Sequence, residues 1–342
     1  MYLRFLIFVF LYLGILSGLG ADCSQSTDPA PDRFTFESPQ MGVPFRLILY
    51  SSRGEPFAER AAEAVWNRIS ALNEVLSNYE TDSELSRLGY ASGQGQWMVV
   101  SDDLWTVITE AQRLAVQSGG AFDFTLGPAT ALWRKVRREK ELPNAAVLAS
   151  MMSKTGWRNL VLSPEDQSVC LTASGMRLDP GGIAKGYALD EGLKVLETFG
   201  ITRALISGGG DMAVLDPPPE SNGWRVRLAN FQQGSEESEM ISLEQSAIAT
   251  SGDLYQFVEI NGTRYSHILN PKTGLGLTQR ILVSVIASTG MEADSLATTL
   301  SVLGPLEAPK WISLNAPTAQ VRMLWLDSHE VVHQWETDSF GR

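Results

Sequence analysis

Cysteine and histidine are scarce, with two of the first and three of the second in 342 residues. Cys23 and Cys170 stand too far apart to begin a disulfide framework or a thiolate metal site, and three histidines do not furnish a multi-histidine zinc site. Cys170, flanked by Val169 and Leu171 in an expected strand, reads as a small buried apolar residue. Positive charge is also in deficit, because 27 Lys and Arg against 39 Asp and Glu leave a net charge of −12. No stretch carries the basic footprint that a polyanion requires, so no nucleic-acid partner is expected. Phosphorylated small ligands remain, since glycine loops and a metal ion hold phosphate without bulk positive charge. A composition 44% hydrophobic and 19% charged is that of an ordinary folded protein. The length allows one large domain or two closely joined ones.

What the chain does have begins at its start. "MYLRFLIFVFLYLGILSGLG" sets Arg4 before an almost unbroken apolar run and ends in small residues, which reads as an export segment over residues 1–21. As an uncleaved anchor the run from Phe5 to Leu19 is short. Cys23 lies where a bacterial lipoprotein carries its lipidated cysteine, but Asp22 fills a position that usually holds a small residue. A lipid anchor at Cys23 and plain export both stay open. Residues 22–40, rich in Ser, Asp and Pro, read as a tether, leaving 41–342 as the folded domain.

"VPFRLILY" (43–50) predicts a first strand. The spacing of Ala61, Val65, Ile69, Leu72, Val75 and Leu76 predicts an amphipathic helix ending near Tyr79. A second helix is expected from Ser101, a good cap with Asp102 and Asp103 in its first turn, to the stop at Gly119 and Gly120. A third is expected in "AKGYALDEGLKVLETFG", closed by Gly200. Strands follow at 201–207, 224–229, 246–250, 264–269 and 281–287, then a helix near 292–303, then "QVRMLWL" and "EVVHQW". Helices and strands do not alternate strictly, so the fold class is α+β, with a largely antiparallel sheet core flanked by helices.

Five stretches depart from core composition. "LDPGGIAKGYALD" (178–190) has the glycines and lysine of a phosphate loop, but Lys185 precedes Gly186 and Tyr187, so it is no Walker loop. "SGGGDMA" (207–213) formally fits a dinucleotide fingerprint, yet "VLDPPP" follows where a helix must. It reads as a tight turn, or as backbone open to a close ligand, with Asp211 beside it. "RYSHILNPKTG" sets His267 at a strand end before a turn, a candidate general base. In "MEADSLATTLSVLG", Asp294 and Thr298 are spaced i, i+4 and share a helix face, a carboxylate and a hydroxyl suited to Mg²⁺. "GGAFDFTLGP" (119–128) puts aromatics and Asp123 in a glycine-bounded loop.

In their order and wording these stretches resemble the ApbE family, the FAD:protein FMN transferases, from about Met41 to Gly304. "MGVPF", "LSNYETDSELSRLG", "AIATSGD" and "SHILNPKTG" extend the match. The resemblance implies an ApbE-like fold and a Mg²⁺-dependent transfer of FMN from FAD to a threonine or serine hydroxyl of a partner, with AMP released. It implies acceptors among flavin-carrying subunits of membrane redox complexes, the sodium-translocating quinone reductases and Rnf-type relatives. It also implies export to the periplasm, with attachment to the inner membrane if Cys23 carries lipid. Residue by residue, Met41, Tyr79, Ala121, Phe122, Asp123, Asp179, Lys185 and Ile268 match positions that contact FAD. Asp294 and Thr298 match metal ligands, joined by the Gly182 carbonyl, and His267 matches the histidine of the family's His-Ile motif. Two other readings stay open: a FAD pyrophosphatase with water as the nucleophile, and an exported FAD-binding protein without chemistry.

Overall fold

An eight-stranded, wholly antiparallel sheet organises the protein. It is seen in a computed structural model that describes residues 30–231 and 239–341. The expected export segment and Cys23 lie outside the described residues. The first half of the chain forms β1 (Asp32–Gln40), β2 (Val43–Ser51), α1 (Glu55–Leu76), α2 (Glu84–Tyr90), β3 (Met98–Val99), α3 (Asp102–Gln117), α4 (Gly127–Glu139), α5 (Ala145–Met152), β4 (Leu160–Ser163), β5 (Ser168–Leu171) and α6 (Ala184–Thr198). The second half forms β6 (Ala204–Gly208), β7 (Asp211–Val214), β8 (Trp224–Arg227), β9 (Met240–Leu243), β10 (Ser246–Gly252), β11 (Phe257–Ile260), β12 (Thr263–Ser266), β13 (Ile281–Ala287), α7 (Gly290–Asn315), β14 (Gln320–Leu326) and β15 (Val332–Glu336). The large sheet runs β1-β2-β6-β7-β10-β13-β14-β15.

Side-chain alternation along the strands divides the apolar residues between two faces. On one face Leu47, Leu49, Ala204, Ile206, Ala247, Ala249, Val283 and Val285 pack with α1, α3, α6 and α7 in the main core. On the other, Ile48, Leu205, Val214, Ile248 and Ile286 meet the β8–β9 ribbon through Trp224, Val226 and Ile241. Helices α1, α3, α6 and α7 therefore stand together on one side of the sheet, and the expected α+β class is what forms. Helix ends follow local chemistry: Ser101 accepts from Leu104 N at 3.3 Å to start α3, and positive φ at Gly119 and Gly120 ends that run. The kink at Gly304, with φ 71°, interrupts α7 where the sequence predicts its end.

One boundary needs correction. Residues 32–40, read as tether, form β1 and pair along their whole length with β2, from Asp32 opposite Ser51 to Gln40 opposite Val43. Phe34 and Phe36, two apart, pack on the core edge. The hairpin turns at Met41 and Gly42, both with positive φ. The polar composition of β1 reflects its place at the sheet edge, where one side faces solvent.

Candidate active site

The stretch 178–190 is the loop into α6 and the first half of that helix, which packs on the start of α7. Asp179 Oδ1 accepts from Gly181 N at 3.0 Å and shapes the turn into α6. At its other end, Asp190 accepts from Gly290 N at 2.6 Å and Met291 N at 2.9 Å, so it caps α7. Burial pushes the Asp190 carboxyl up to about 6, against the pull of those two N–H groups. Between them α6 and α7 touch glycine to glycine: a Cβ at Gly186 would fall 2.0 Å from Gly290 O. Only bare backbone permits this approach, which brings Lys185 and Asp294 together.

Lys185 Nζ donates to Asp211 Oδ2 at 2.5 Å and to Asp294 Oδ2 and Oδ1 at 3.2 and 3.3 Å. Asp294 Oδ2 also accepts from Gly186 N at 3.2 Å, and Asp211 Oδ1 from Thr250 N at 3.4 Å. Both carboxylates are 3% exposed. Burial works against the Lys185 charge, but the carboxylates of Asp294 and Asp211 outweigh it and hold the ammonium pKa above its usual value. Burial favours the neutral form of Asp211, and Lys185 opposes it. Thr298, one turn beyond Asp294, lies 3.2 Å from Ser251 Oγ. A Cβ at Gly182 would stand 2.8 Å from Thr298 Oγ1, so the loop backbone is seated directly on that hydroxyl.

These donors fit a small hard cation. Among the described residues no three His, Cys, Asp or Glu side chains converge on a metal site. A cation here would thus rest on the Asp294 carboxylate, the Thr298 hydroxyl and a backbone oxygen of the loop that Gly182 brings close. An all-oxygen set with few protein ligands suits Mg²⁺, which keeps waters and substrate phosphates as the rest of its shell.

A second cluster adjoins the first through Asp179. Asn78 Nδ2 donates to Asp179 Oδ1 at 3.0 Å, and Arg134 donates to Asn78 Oδ1 at 3.3 Å. The Arg134 guanidinium lies 4.1 Å from the centre of the Tyr79 ring, which is 74% exposed. Tyr79, Arg134, Arg177 and Leu178 line a shallow cavity there. Phe122 is buried, next to a half-buried Ala121. The Asp123 carboxylate is spent on Thr125 N, Thr125 Oγ1 and Trp157 N at 2.8, 2.6 and 3.2 Å. Burial raises its pKa against those bonds. Met41 sits half-buried at the β1–β2 turn.

His267 follows β12, beside the buried Ile268. Its Nδ1 lies 3.2 Å from Gln256 O, and its backbone N donates to the same oxygen at 3.0 Å. A carbonyl only accepts, so Nδ1 carries the proton and Nε2 is left as a free acceptor. Burial pushes the imidazole down to about 4, and the positive charges of Arg137 and Lys185 add to the push.

The structure thus brings Gly182, Lys185, Asp294 and Thr298 together, with Tyr79 and Asp179 adjoining and His267 within electrostatic reach of Lys185. Asn78 and Ser251 lie inside quoted motifs without being distinguished there as site residues, and Arg134 lies outside every quoted stretch. For Asp211 the sequence offers one signal, an aspartate closing a glycine run after a strand.

Known proteins resemble this chain in both sequence and fold. A profile described as the ApbE family matches residues 41–323. The FAD:protein FMN transferase of Klebsiella pneumoniae is 29% identical over 303 residues, covering 86% of this chain and 85% of the relative. That of Vibrio cholerae is 30% identical over 271 residues, with 78% and 80% covered. Among solved structures, the flavin transferase ApbE from Vibrio cholerae matches with a TM-score of 0.82 at 28% identity, over 91% of this chain and 99% of that one. The apo flavinyl transferase ApbE of Pseudomonas stutzeri matches with a TM-score of 0.79 at 25% identity, over 91% and 96%.

Proposed function

The chain belongs to the ApbE family, and on that premise we propose that it transfers FMN from FAD to a threonine or serine hydroxyl of a partner protein, using Mg²⁺ and releasing AMP. The observation that carries this reading is the buried meeting of Lys185, Asp211 and Asp294 at the start of α6, beside the Thr298 hydroxyl. It combines fixed positive charge, the first turn of a helix and hard oxygen donors, as a pyrophosphate requires.

In the reaction the acceptor oxygen attacks the phosphorus of the FMN half. The bond from that phosphorus to the oxygen bridging to AMP breaks, and AMP leaves with the bridging oxygen. One phosphoanhydride is exchanged for one phosphodiester, and the hydroxyl proton passes to His267 Nε2. Mg²⁺ held by Asp294, Thr298 and the Gly182 carbonyl would neutralise charge on the pyrophosphate oxygens. Lys185 adds a point charge to the same oxygens, and the 181–186 backbone approaches them closely. Tyr79, with Arg134 behind its ring, offers an aromatic face to the flavin nucleotide, and Asp179 fixes Asn78 next to it. Met41, Ala121, Phe122, Asp123 and Ile268 complete the FAD contacts. We assign the acceptors to flavin-carrying subunits of sodium-translocating quinone reductase or Rnf-type complexes, reached from the periplasm after export, with or without lipid on Cys23.

The test mixes the protein with FAD, Mg²⁺ and a candidate acceptor domain and follows the acceptor's intact mass. A gain of one FMN residue is expected. It should need Mg²⁺, be lost when the acceptor threonine is changed to alanine, and lose its Mg²⁺ response in Asp294→Ala. Free FMN and AMP without a mass gain would replace the transferase with a FAD pyrophosphatase. FAD binding without turnover, across a panel of acceptors, would leave only a binding protein.

A further inference from the structure

The glycine run at 207–211 is not used as a nucleotide fingerprint, and the structure gives it a different role. Gly208, Gly209 and Gly210 turn β6 into β7, with φ of 62° at Gly209 and 99° at Gly210. A Cβ at Gly208 would lie 2.5 Å from the Phe45 ring, and one at Gly209 would lie 3.3 Å from Cδ and 3.6 Å from Cε of Lys185. The turn is pared to backbone on the side where the Lys185 stem runs. Asp211, the next residue, then closes on the ammonium at 2.5 Å. Its own carboxylate is steadied by Thr250 N, and the Thr250 hydroxyl is in turn tied to Ser284 Oγ at 2.8 Å.

Asp294 has two claimants. In the proposed reaction it holds a divalent cation, yet both of its oxygens face Lys185 Nζ at 3.2 and 3.3 Å. An ammonium and a divalent cation on one buried carboxylate repel each other strongly, because little water screens them. Two carboxylates against one ammonium leave one negative charge over, and the shorter contact is the one to Asp211.

We infer that the Gly208–Asp211 turn is a holder for Lys185, in which Asp211 keeps the ammonium off Asp294 so that Asp294 can take a divalent cation. Lys185 then stays beside the cation and faces the anionic substrate. Asp211 is a positioning residue that acts through Lys185 and touches neither substrate nor metal. The inference rests on the reading of the site as a Mg²⁺-dependent transferase.

The experiment titrates Mn²⁺ alone into the full chain and reads free Mn²⁺ by electron paramagnetic resonance, for wild type, Asp211→Asn, Lys185→Met and the double variant. Thermal melts check that each is folded. Asp211→Asn keeps the side-chain shape and should weaken Mn²⁺ binding about tenfold, the lower end of the cost of losing an outer-shell partner. Lys185→Met removes the competitor and should bind Mn²⁺ more tightly than wild type. In the Lys185→Met background the cost of Asp211→Asn should largely vanish, a non-additivity that a merely structural role would not produce. The same factor lost in both backgrounds would mean that Asp211 acts by its charge alone, and the holder is overturned. Lys185→Met binding no tighter than wild type overturns it equally, as does a wild type that binds no Mn²⁺. A wild type that shows the expected Mn²⁺ pattern but moves no flavin would overturn the transferase reading and leave the holder standing.

Discussion

At the scale of the residue, His267 joins burial, tautomer and the proposed role of base in one group. The Gln256 carbonyl fixes the proton on Nδ1, and burial, opposed by that same carbonyl and by Asp253 and reinforced by Arg137 and Lys185, puts the pKa near 4. An unfolded imidazole titrates near 6.5. Between those two values the native state binds fewer protons than the unfolded one, so the group's contribution to stability is present at neutral pH and lost as pH falls through that window. For the proposed transfer, Nε2 is unprotonated throughout the neutral range. The acid limb of kcat/KM set by His267 should therefore lie near pH 4, while His267→Ala should lower kcat by about a hundredfold or more and leave FAD binding almost unchanged. An acid limb near 6.5 that disappears in His267→Ala would show that the ring is solvated and the tautomer unfixed. The place of His267 at a strand end was legible in the sequence, as was the i, i+4 pair Asp294 and Thr298. Asn78, Arg134 and the role of Asp211 were not. Each acquires its meaning from partners far along the chain, as Asn78 does from Asp179 and Asp211 does from Lys185.

At the scale of the element, the geometry of the candidate site depends on how closely α6 and α7 cross. Gly186→Ala would drive a Cβ to 2.0 Å from Gly290 O and 2.8 Å from Met291 N, both backbone atoms that cannot turn aside. Overpacking of this kind costs about 1–3 kcal/mol or more. It also moves the helix that carries Lys185 away from the one that carries Asp294. Chemical denaturation of Gly186→Ala should show that loss together with weakened Mg²⁺-dependent transfer. Gly200→Ala, strained at φ 72° but with nothing within 4 Å, should lose stability alone. If both variants lose stability yet keep full transfer, the crossing does not set the site. Helices with apolar residues at helical spacing were legible, α1, α3, α6 and the part of α7 before Gly304, with the Ser101 cap marking the start of α3. The strand β1 was hidden by its polar edge composition. Helix α4 was hidden because "GGAFDFTLGP" drew the reading towards a loop, although Ala129, Trp133 and Val136 bury one face of a helix beginning at Gly127.

At the scale of the whole molecule, strand order is what the sequence least reveals. β2 and β6 lie on either side of six helices in the chain, yet they pair with Phe45 opposite Gly208, and that pairing sets the glycine turn beside Lys185. Periodicity finds strands and says nothing of which distant partner each will take. The order places β10 and β13 inside the sheet, each with two neighbours, while β1 and β15 have one neighbour apiece. All seven residues of β13 are buried, whereas most of β15 is exposed. Opening β13 means breaking ladders on both sides and uncovering α7, so its amides should exchange only by global unfolding. Hydrogen exchange should therefore be slowest in β13 and β10 and fastest in β1 and β15. Adding FAD with Mg²⁺ should slow exchange at residues 181–186 and 251–252, where the loop and the end of β10 meet at Thr298, and leave the edge strands unchanged. Protection spread evenly over the sheet would mean that the ligand stabilises the fold without engaging this corner. Protection confined to the corner would tie the binding energy to the junction of β10, α6 and α7, where the sheet order has brought the charges together.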